Sequence, residues 1–452
     1  MKRSKESVHF GELAMRWILR ALLGNKHSLF SLFSCFYSLV TAILLADASI
    51  AQEKQRGESA KLLAVGEGWS RWRGQLGDAH VSGLPKLWKE PRRVWRFELP
   101  ANGIGGIAAS MDTVVVSSRN ANDTGDLFYL LDAESGIELS KLSYASKLAL
   151  DYGNSPRVNP LVLEDRVITV GAAGQIHCLS LESGAVLWTK HMVEDLGGKM
   201  PQWGYASSPI VFGSNLIVQP GGLETSFVAL ELSTGKVVWK TAGRQAAYAS
   251  PLGIQWSGKE QWINYDFNSL GAWEAIQGKR LWEMKPEEDK DFNVPSPVLI
   301  DDKLFLVTEN NGARLYQLPY GTEGPASTTQ LIAQSDKLLH DTNSPVRVGK
   351  WVAGVDGTLV VLDPHRSLAT HAEFEDPALN GYCSIIVDEN RLLVTTTKGT
   401  ILLLEVSSDG IKELGRMKLD TLDGDVLAHP AFHEGTFFVR GPLWIDAYRW
   451  DD

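Results

Sequence analysis

The chain has 452 residues, 44% of them hydrophobic, and carries 44 Lys and Arg against 54 Asp and Glu, a formal net charge of −10. That acidity repels phosphate, and no Lys/Arg cluster after residue 52 offers a local patch, so the balance speaks against nucleic acid as a partner. Beyond residue 51 the only cysteines are Cys178 and Cys383, too far apart in the repeat pattern for an expected disulfide and better read as small buried apolar side chains.

At the N-terminus, Lys2, Arg3, Lys5, Arg16, Arg20 and Lys26 precede an uncharged apolar run from Ser28 to Ala46 and then small residues. Residues 1–51 therefore read as a signal peptide, cleaved after Ser49-Ile50-Ala51 or Ala46-Asp47-Ala48, with an uncleaved membrane anchor as the alternative. Export to a periplasm or cell envelope follows. Loss of those residues leaves 38 basic against 51 acidic side chains, a net of −13. Residues 52–92 form an N-terminal extension containing Trp69-Ser70-Arg71-Trp72-Arg73-Gly74.

The domain proper spans residues 93–452. It opens on an isolated strand, Val94 to Leu99, and continues in repeats. The clearest copies are Ile176 to Trp188, Phe227 to Trp239 and Leu270 to Trp282, in which Gly184, Gly235 and Gly278 each precede a Trp by four; Phe128 to Ser140 keeps the turn at Gly136 and loses the Trp. Successive turn glycines lie 48, 51 and 43 residues apart, a propeller-blade period. Within a copy, Phe227, Ala229 and Leu230 suggest a half-buried strand, Ser233-Thr234-Gly235 a tight turn, and Val237 to Trp239 a return strand. A second hairpin precedes it around Gly213-Ser214-Asn215.

Blades then begin near Gly105, Asn154, Ser207, Ala249, Pro295, Asn343, Tyr382 and Ala428, and the last lacks a fourth strand. The strand at 94–99 fits that vacant edge, because joining the two chain ends removes open edges. The expectation is an all-β, eight-bladed propeller of four-stranded blades, with seven blades as the alternative.

The A-L-x-x-x-T-G-x-x-x-W copies resemble the tryptophan-docking repeats of pyrroloquinoline quinone (PQQ) propellers, a family that includes quinoprotein alcohol dehydrogenases and BamB-type outer-membrane assembly lipoproteins. Trp69 to Gly74 resembles the opening motif of many exported proteins with such repeats, notably those of planctomycete-like bacteria. The resemblance implies either an enzyme or a scaffold. In the dehydrogenases PQQ lies between a vicinal Cys-Cys ring and a Trp, with Ca²⁺ held by Glu, Asn and Asp and an Asp as base. This chain has no Cys-Cys pair.

Candidate site residues sit in the loops leading into the inner strands and in those between second and third strands, which gather on one propeller face. The ligand-binding set is Asp151, Asn154, Arg157, Trp203, Tyr205, Tyr248, Asn293, Asn343 and His429. Asn154, Asn293 and Asn343 stand two before Pro, where an Asx turn explains them without a ligand. Trp203 lies outside the repeat and is the best stacking candidate. Glu309, Asn310 and Asp266 offer the oxygen chemistry Ca²⁺ prefers, although Glu309-Asn310-Asn311-Gly312 is also a simple hairpin turn. Asp266 is the one low-ranked general base. His429 either lines the channel or caps a strand. Trp188, Trp239 and Trp282 repeat with the blade and read as structural docking residues. The preferred function is a non-catalytic exported scaffold binding an envelope protein or peptide. The alternative is a PQQ- and Ca-dependent oxidoreductase acting on an alcohol or sugar, and a carbohydrate-binding module comes third.

Overall fold

The computed structural model describes residues 66–450 apart from Met111, 288–290, Phe292, 320–328 and 421–423, so the export segment expected at 1–51 lies outside the described residues. Eight antiparallel sheets of four strands follow one another along the chain, and the fold is an eight-bladed β-propeller. Blade 1, with strands Ala108–Ser110, Thr113–Arg119, Gly125–Asp132 and Glu138–Ala145, sets the pattern of innermost strand first and outermost last. The inner strands of blades 2 to 8 start at Leu161, Ile210, Leu252, Val298, Val346, Cys383 and Ala431. Most lie within three residues of the positions read from the sequence; blade 2 starts seven later, because its inner strand is only the pair Leu161–Val162.

Burial grades outward. The middle strands Thr113–Arg119 and Arg391–Thr396 are buried at every position, whereas the outer strands Glu138–Ala145 and Val237–Thr241 are largely exposed. This corrects the half-buried reading of Phe227–Glu231, whose first four residues are all buried. Each blade is flanked by another on both faces, so a middle strand has no solvent side and reads as a continuous apolar run, as in Leu402-Leu403-Leu404.

Tryptophans join one blade to the next. Trp188 of blade 2 lies across Gly235 in the last hairpin turn of blade 3 and donates its indole N–H to Leu232 O at 2.9 Å. Trp239 lies likewise across Gly278. Gly235 adopts φ +68, and a Cβ there would stand 2.8 Å from the Trp188 ring, so the turn needs glycine for both its conformation and its contact. In blade 1, Ser140 replaces the Trp and rests against Gly184.

The ring closes through the N-terminal strand Arg92–Glu98, which pairs with Trp444–Arg449 and completes blade 8. Trp95 supplies the docking contact that Trp188 supplies elsewhere: it covers Gly136 of blade 1 and donates to Ala133 O at 3.0 Å. Beside it, Arg96 grips the fully buried Asp446 with two hydrogen bonds of 2.7 Å, with Arg93 at 3.6 Å and the Tyr448 hydroxyl at 3.1 Å on the same carboxylate. Arg96→Ala leaves that carboxylate buried with its main partner gone. The expected loss is about 3 kcal/mol, seen as a lowered urea midpoint with unchanged slope; a midpoint equal to wild type would show that the pair does not hold the closure.

Candidate functional site

The propeller axis is filled by the chain itself. Upstream of the closing strand, residues 66–84 bond to inner strands around the ring: Gly66 N–H donates to Val162 O, Ala109 N–H to Trp69 O, and Val81 N–H to Val387 O. Gly83 and Leu84 donate to the Asp388 carboxylate of blade 7 at 3.0 and 2.9 Å. From this base three consecutive side chains fan out toward three consecutive blades. Arg71 Nη2 donates to Pro251 O at 3.2 Å, Trp72 Nε1 to Ser296 Oγ at 2.9 Å, and Arg73 Nη2 to Pro345 O at 2.5 Å.

Local backbone turns make this possible. Gly74 N–H donates to Arg71 O, Gly77 N–H to Gly74 O and Ala79 N–H to Arg73 O, and Arg73, Gly74, Gly77 and Ala79 all have positive φ. At Gly77 a Cβ would meet Arg71 Nη2 at 2.5 Å. The non-glycine residues Arg73 and Ala79 hold this conformation against its intrinsic cost, on the order of 1–3 kcal/mol each, because the ring contacts over-determine it.

The atoms that receive the plug belong to a Ser-Pro register absent from the sequence reading as a set. Ser155, Ser208, Ser250, Ser296 and Ser344 each precede a proline at the start of an inner strand. Their hydroxyls link neighbouring blades: Ile104 N–H donates to Ser155 Oγ, Ser208 N–H to Ser250 Oγ, and Ser296 N–H to Ser344 Oγ, at 2.9–3.1 Å. The recurrence of Ser-Pro at blade spacing was the available signal.

Beside the plug, His429 packs its ring against Trp72 with centroids 4.3 Å apart, and both are half-buried. Burial, then the positive charge of Arg73, pushes the imidazole down to about 3, so it is neutral near pH 7. Burial likewise pushes Arg71 and Arg73 down to about 10, with Asp78 opposing the shift in both; they remain cations.

Nearer the loop face, three expected residues meet. Trp203 and Tyr248 bring their rings within 5.3 Å, and the Tyr248 hydroxyl accepts from Trp203 N–H at 3.4 Å. Arg157 lies near Tyr248, and the carbonyls of Asp151, Gly153 and Ser155 hold its guanidinium at 2.8–2.9 Å. Asn154 braces the same loop by accepting from Leu150 N–H and donating to Asp123.

Other expected residues are committed to the frame. Tyr205 is 2% exposed and donates to Pro220 O. Asn343 accepts from Cys383 N–H at 2.9 Å and donates to Val355 O, tying blade 6 to blade 7, and Asn293 donates to Phe267 O at 3.2 Å. These bonds run between loops, in place of the Asx turns expected from Asn-x-Pro.

The proposed Ca²⁺ set does not fit the ion. Asp266 is fully buried; Arg244 at 3.0 Å and Arg280 at 3.2 Å both take Oδ2, and the Ser269 hydroxyl donates to Oδ1 at 2.8 Å, so both oxygens a metal or a substrate proton would need are occupied. Asn310 is exposed and bonds Asp291 through its backbone N–H, and burial with Asp341 and Asp291 nearby raises the Glu309 carboxyl. Among the described residues no group of three His, Cys, Asp or Glu is arranged to hold a metal ion. Cys178 and Cys383 are both buried and free.

The family model described as outer membrane protein assembly factor BamB matches residues 89–318, just over half of the chain. The chain belongs to this PQQ-repeat family. Among solved structures, BamB from Moraxella catarrhalis aligns at a TM-score of 0.55 with 13% identity, covering 80% of this chain and all of that one. The quinohemoprotein alcohol dehydrogenases from Pseudomonas putida HK5 and Comamonas testosteroni align at 0.59 and 0.58, each with 12% identity and 87% of this chain covered, against 81% and 82% of theirs. At these identities the likeness concerns the fold. No curated protein matches the chain. Among the described residues no helix is long and apolar enough to cross a membrane.

Besides His429, two interior histidines bear on the acid response of this BamB-family propeller. His177, stacked on Tyr144 at 4.4 Å, and His340 are both pushed by burial to about 4 from an ordinary 6.5. A depressed histidine favours the unfolded chain once that chain binds the proton, so this stability is full above pH 6.5 and declines as pH falls toward 4. His177→Phe with His340→Leu should shrink the drop in melting temperature between pH 7 and pH 4.5. An undiminished drop would assign acid sensitivity to other groups.

Proposed function

We propose that this chain is a non-catalytic, exported propeller of the cell envelope that binds another envelope protein or a peptide through its loop face. The observation that carries this reading is a set of exposed apolar side chains on loops of one face: Tyr152, Leu223, Phe267, Leu339, Tyr382 and Leu427, each 38–79% exposed. They come from blades 2, 3, 4, 6, 7 and 8 and encircle the axis. A dispersed apolar ring amid polar loops suits a protein surface better than a small-molecule pocket. The family's description as an outer membrane assembly factor and the apolar, basic-flanked N-terminus support the envelope setting.

The enzymatic alternative draws support from the dehydrogenase-like fold, but Asp266 is held by two arginines and the chain lacks vicinal cysteines. Arg157, Trp203 and Tyr248, with Asp151 and Asn154 bracing their loop, are the ligand-facing group of this face; His429 belongs to its floor.

Full-length wild type and a Tyr152→Asp/Phe267→Asp/Tyr382→Asp variant would be cross-linked in envelope extracts of the source cell. A defined partner should appear with wild type and fall at least tenfold with the variant, whose melting temperature stays within a few degrees; equal recovery by both would refute the face. In a separate titration with PQQ and Ca²⁺, Trp fluorescence and dye-linked alcohol oxidation should remain flat. Saturable quenching with turnover would replace the scaffold reading with the enzyme.

A further inference from the structure

The plug arginines hold more hydrogen-bonding capacity than the protein satisfies. Arg71 and Arg73 are each 2% exposed. Each has one protein hydrogen bond, from Nη2 to a proline carbonyl. Arg71 Nε and Nη1 and Arg73 Nη1 are buried without a protein partner. Two guanidinium groups are therefore enclosed at the axis, and Asp78 is the carboxylate whose charge acts on both. His429, neutral beside Arg73, adds no negative charge. Among the described residues these two guanidinium groups face one carboxylate, a local excess of one positive charge inside a chain whose net charge is −10.

Burying a cation with open N–H groups is strongly unfavourable unless a counter-charge and acceptors are supplied. Evolving such a cost by chance is simple to avoid: an apolar side chain would plug the axis without it. The backbone instead adopts the positive φ values of Arg73 and Ala79 to place the guanidinium groups there. Forked N–H donors match planar or tetrahedral oxyanions.

We infer that Arg71 and Arg73 form an oxyanion site in the plug at the propeller axis, next to Trp72 and His429. The ligand is a small anion bearing carboxylate or phosphate oxygens, which supplies the acceptors for the open N–H groups and neutralises the excess charge. This site is independent of the loop-face partner, since none of its residues lies in the apolar ring.

The purified full-length protein, dialysed into chloride buffer, would be titrated calorimetrically with inorganic phosphate and, in a second arm, with malonate. One saturable site per chain is expected in at least one arm. Phosphate alone would identify an inorganic anion, malonate alone an organic acid, and both an unselective oxyanion site. Arg71→Gln and Arg73→Gln should each weaken binding at least tenfold, while Arg73→Lys retains part of it. Melting temperature in saturating anion should rise for wild type and not for the Arg71→Gln/Arg73→Gln variant. No saturable binding to wild type in either arm, or unaltered binding by folded variants, would overturn the assignment and leave the guanidinium groups to water alone. The wild-type arms decide the question even if the variants fail to fold.

Discussion

The structure depends on closing a ring whose last blade is made from both ends of the chain. A propeller left open there would expose one edge of Trp444–Arg449 and one face each of blades 8 and 1, with unpaired backbone groups along both. Arg92–Glu98 fills that edge, Trp95 docks on Gly136 as Trp188 docks on Gly235, and the Arg96–Asp446 pair is sealed beneath. One repeated contact therefore serves two purposes, joining consecutive blades along the chain and joining its ends.

Closure also determines where the preceding residues can go. An outermost strand of this topology begins on the face opposite the inner-strand loops, so the chain before Arg92 lies under the ring. Trp88 covers Gly415 on the outer strand of blade 7, and Leu84 meets Asp388 and Arg391 on either side of the turn between that blade's first and second strands. Continuing toward the N-terminus, the segment reaches the axis and turns Arg71, Trp72 and Arg73 into it. The loop face is left to carry the apolar ring, and the axis is filled by the plug rather than open as a passage. Shared folds with a BamB and with quinohemoprotein dehydrogenases leave this division of labour to residues outside the repeats.

Much of the architecture was legible because it repeats. A blade must turn at a positive-φ glycine and dock a large ring on its neighbour, so Gly184, Gly235 and Gly278 with their tryptophans mark the period in one dimension. The orphan strand was legible as well, since a missing fourth strand and an unplaced first one have a single economical pairing. The face residues were harder. Trp203, Tyr248 and Arg157 do meet, but Tyr205, Asn293 and Asn343 turn inward and spend their polar atoms on other loops, because a loop's path fixes which way its side chains point. Asp266 was chemically suggestive in sequence and is neutralised in space by Arg244 and Arg280, one from the loop entering the inner strand of its blade and one from the outer strand of that blade.

By itself the sequence determined the blade count and the closing strand, and it marked Trp188 and Trp239, which lie across Gly235 and Gly278, since each follows from local turn geometry and periodic burial. Only the tertiary structure decided the use of Trp69 to Gly74. Its partners Pro251, Ser296 and Pro345 lie 180 to 272 residues away, and nothing local to the motif says that a ring will assemble around it. Burial does the rest: the same two arginines that would be ordinary solvated cations in an extended N-terminal segment become, once enclosed by eight inner strands, desolvated charges with open donors.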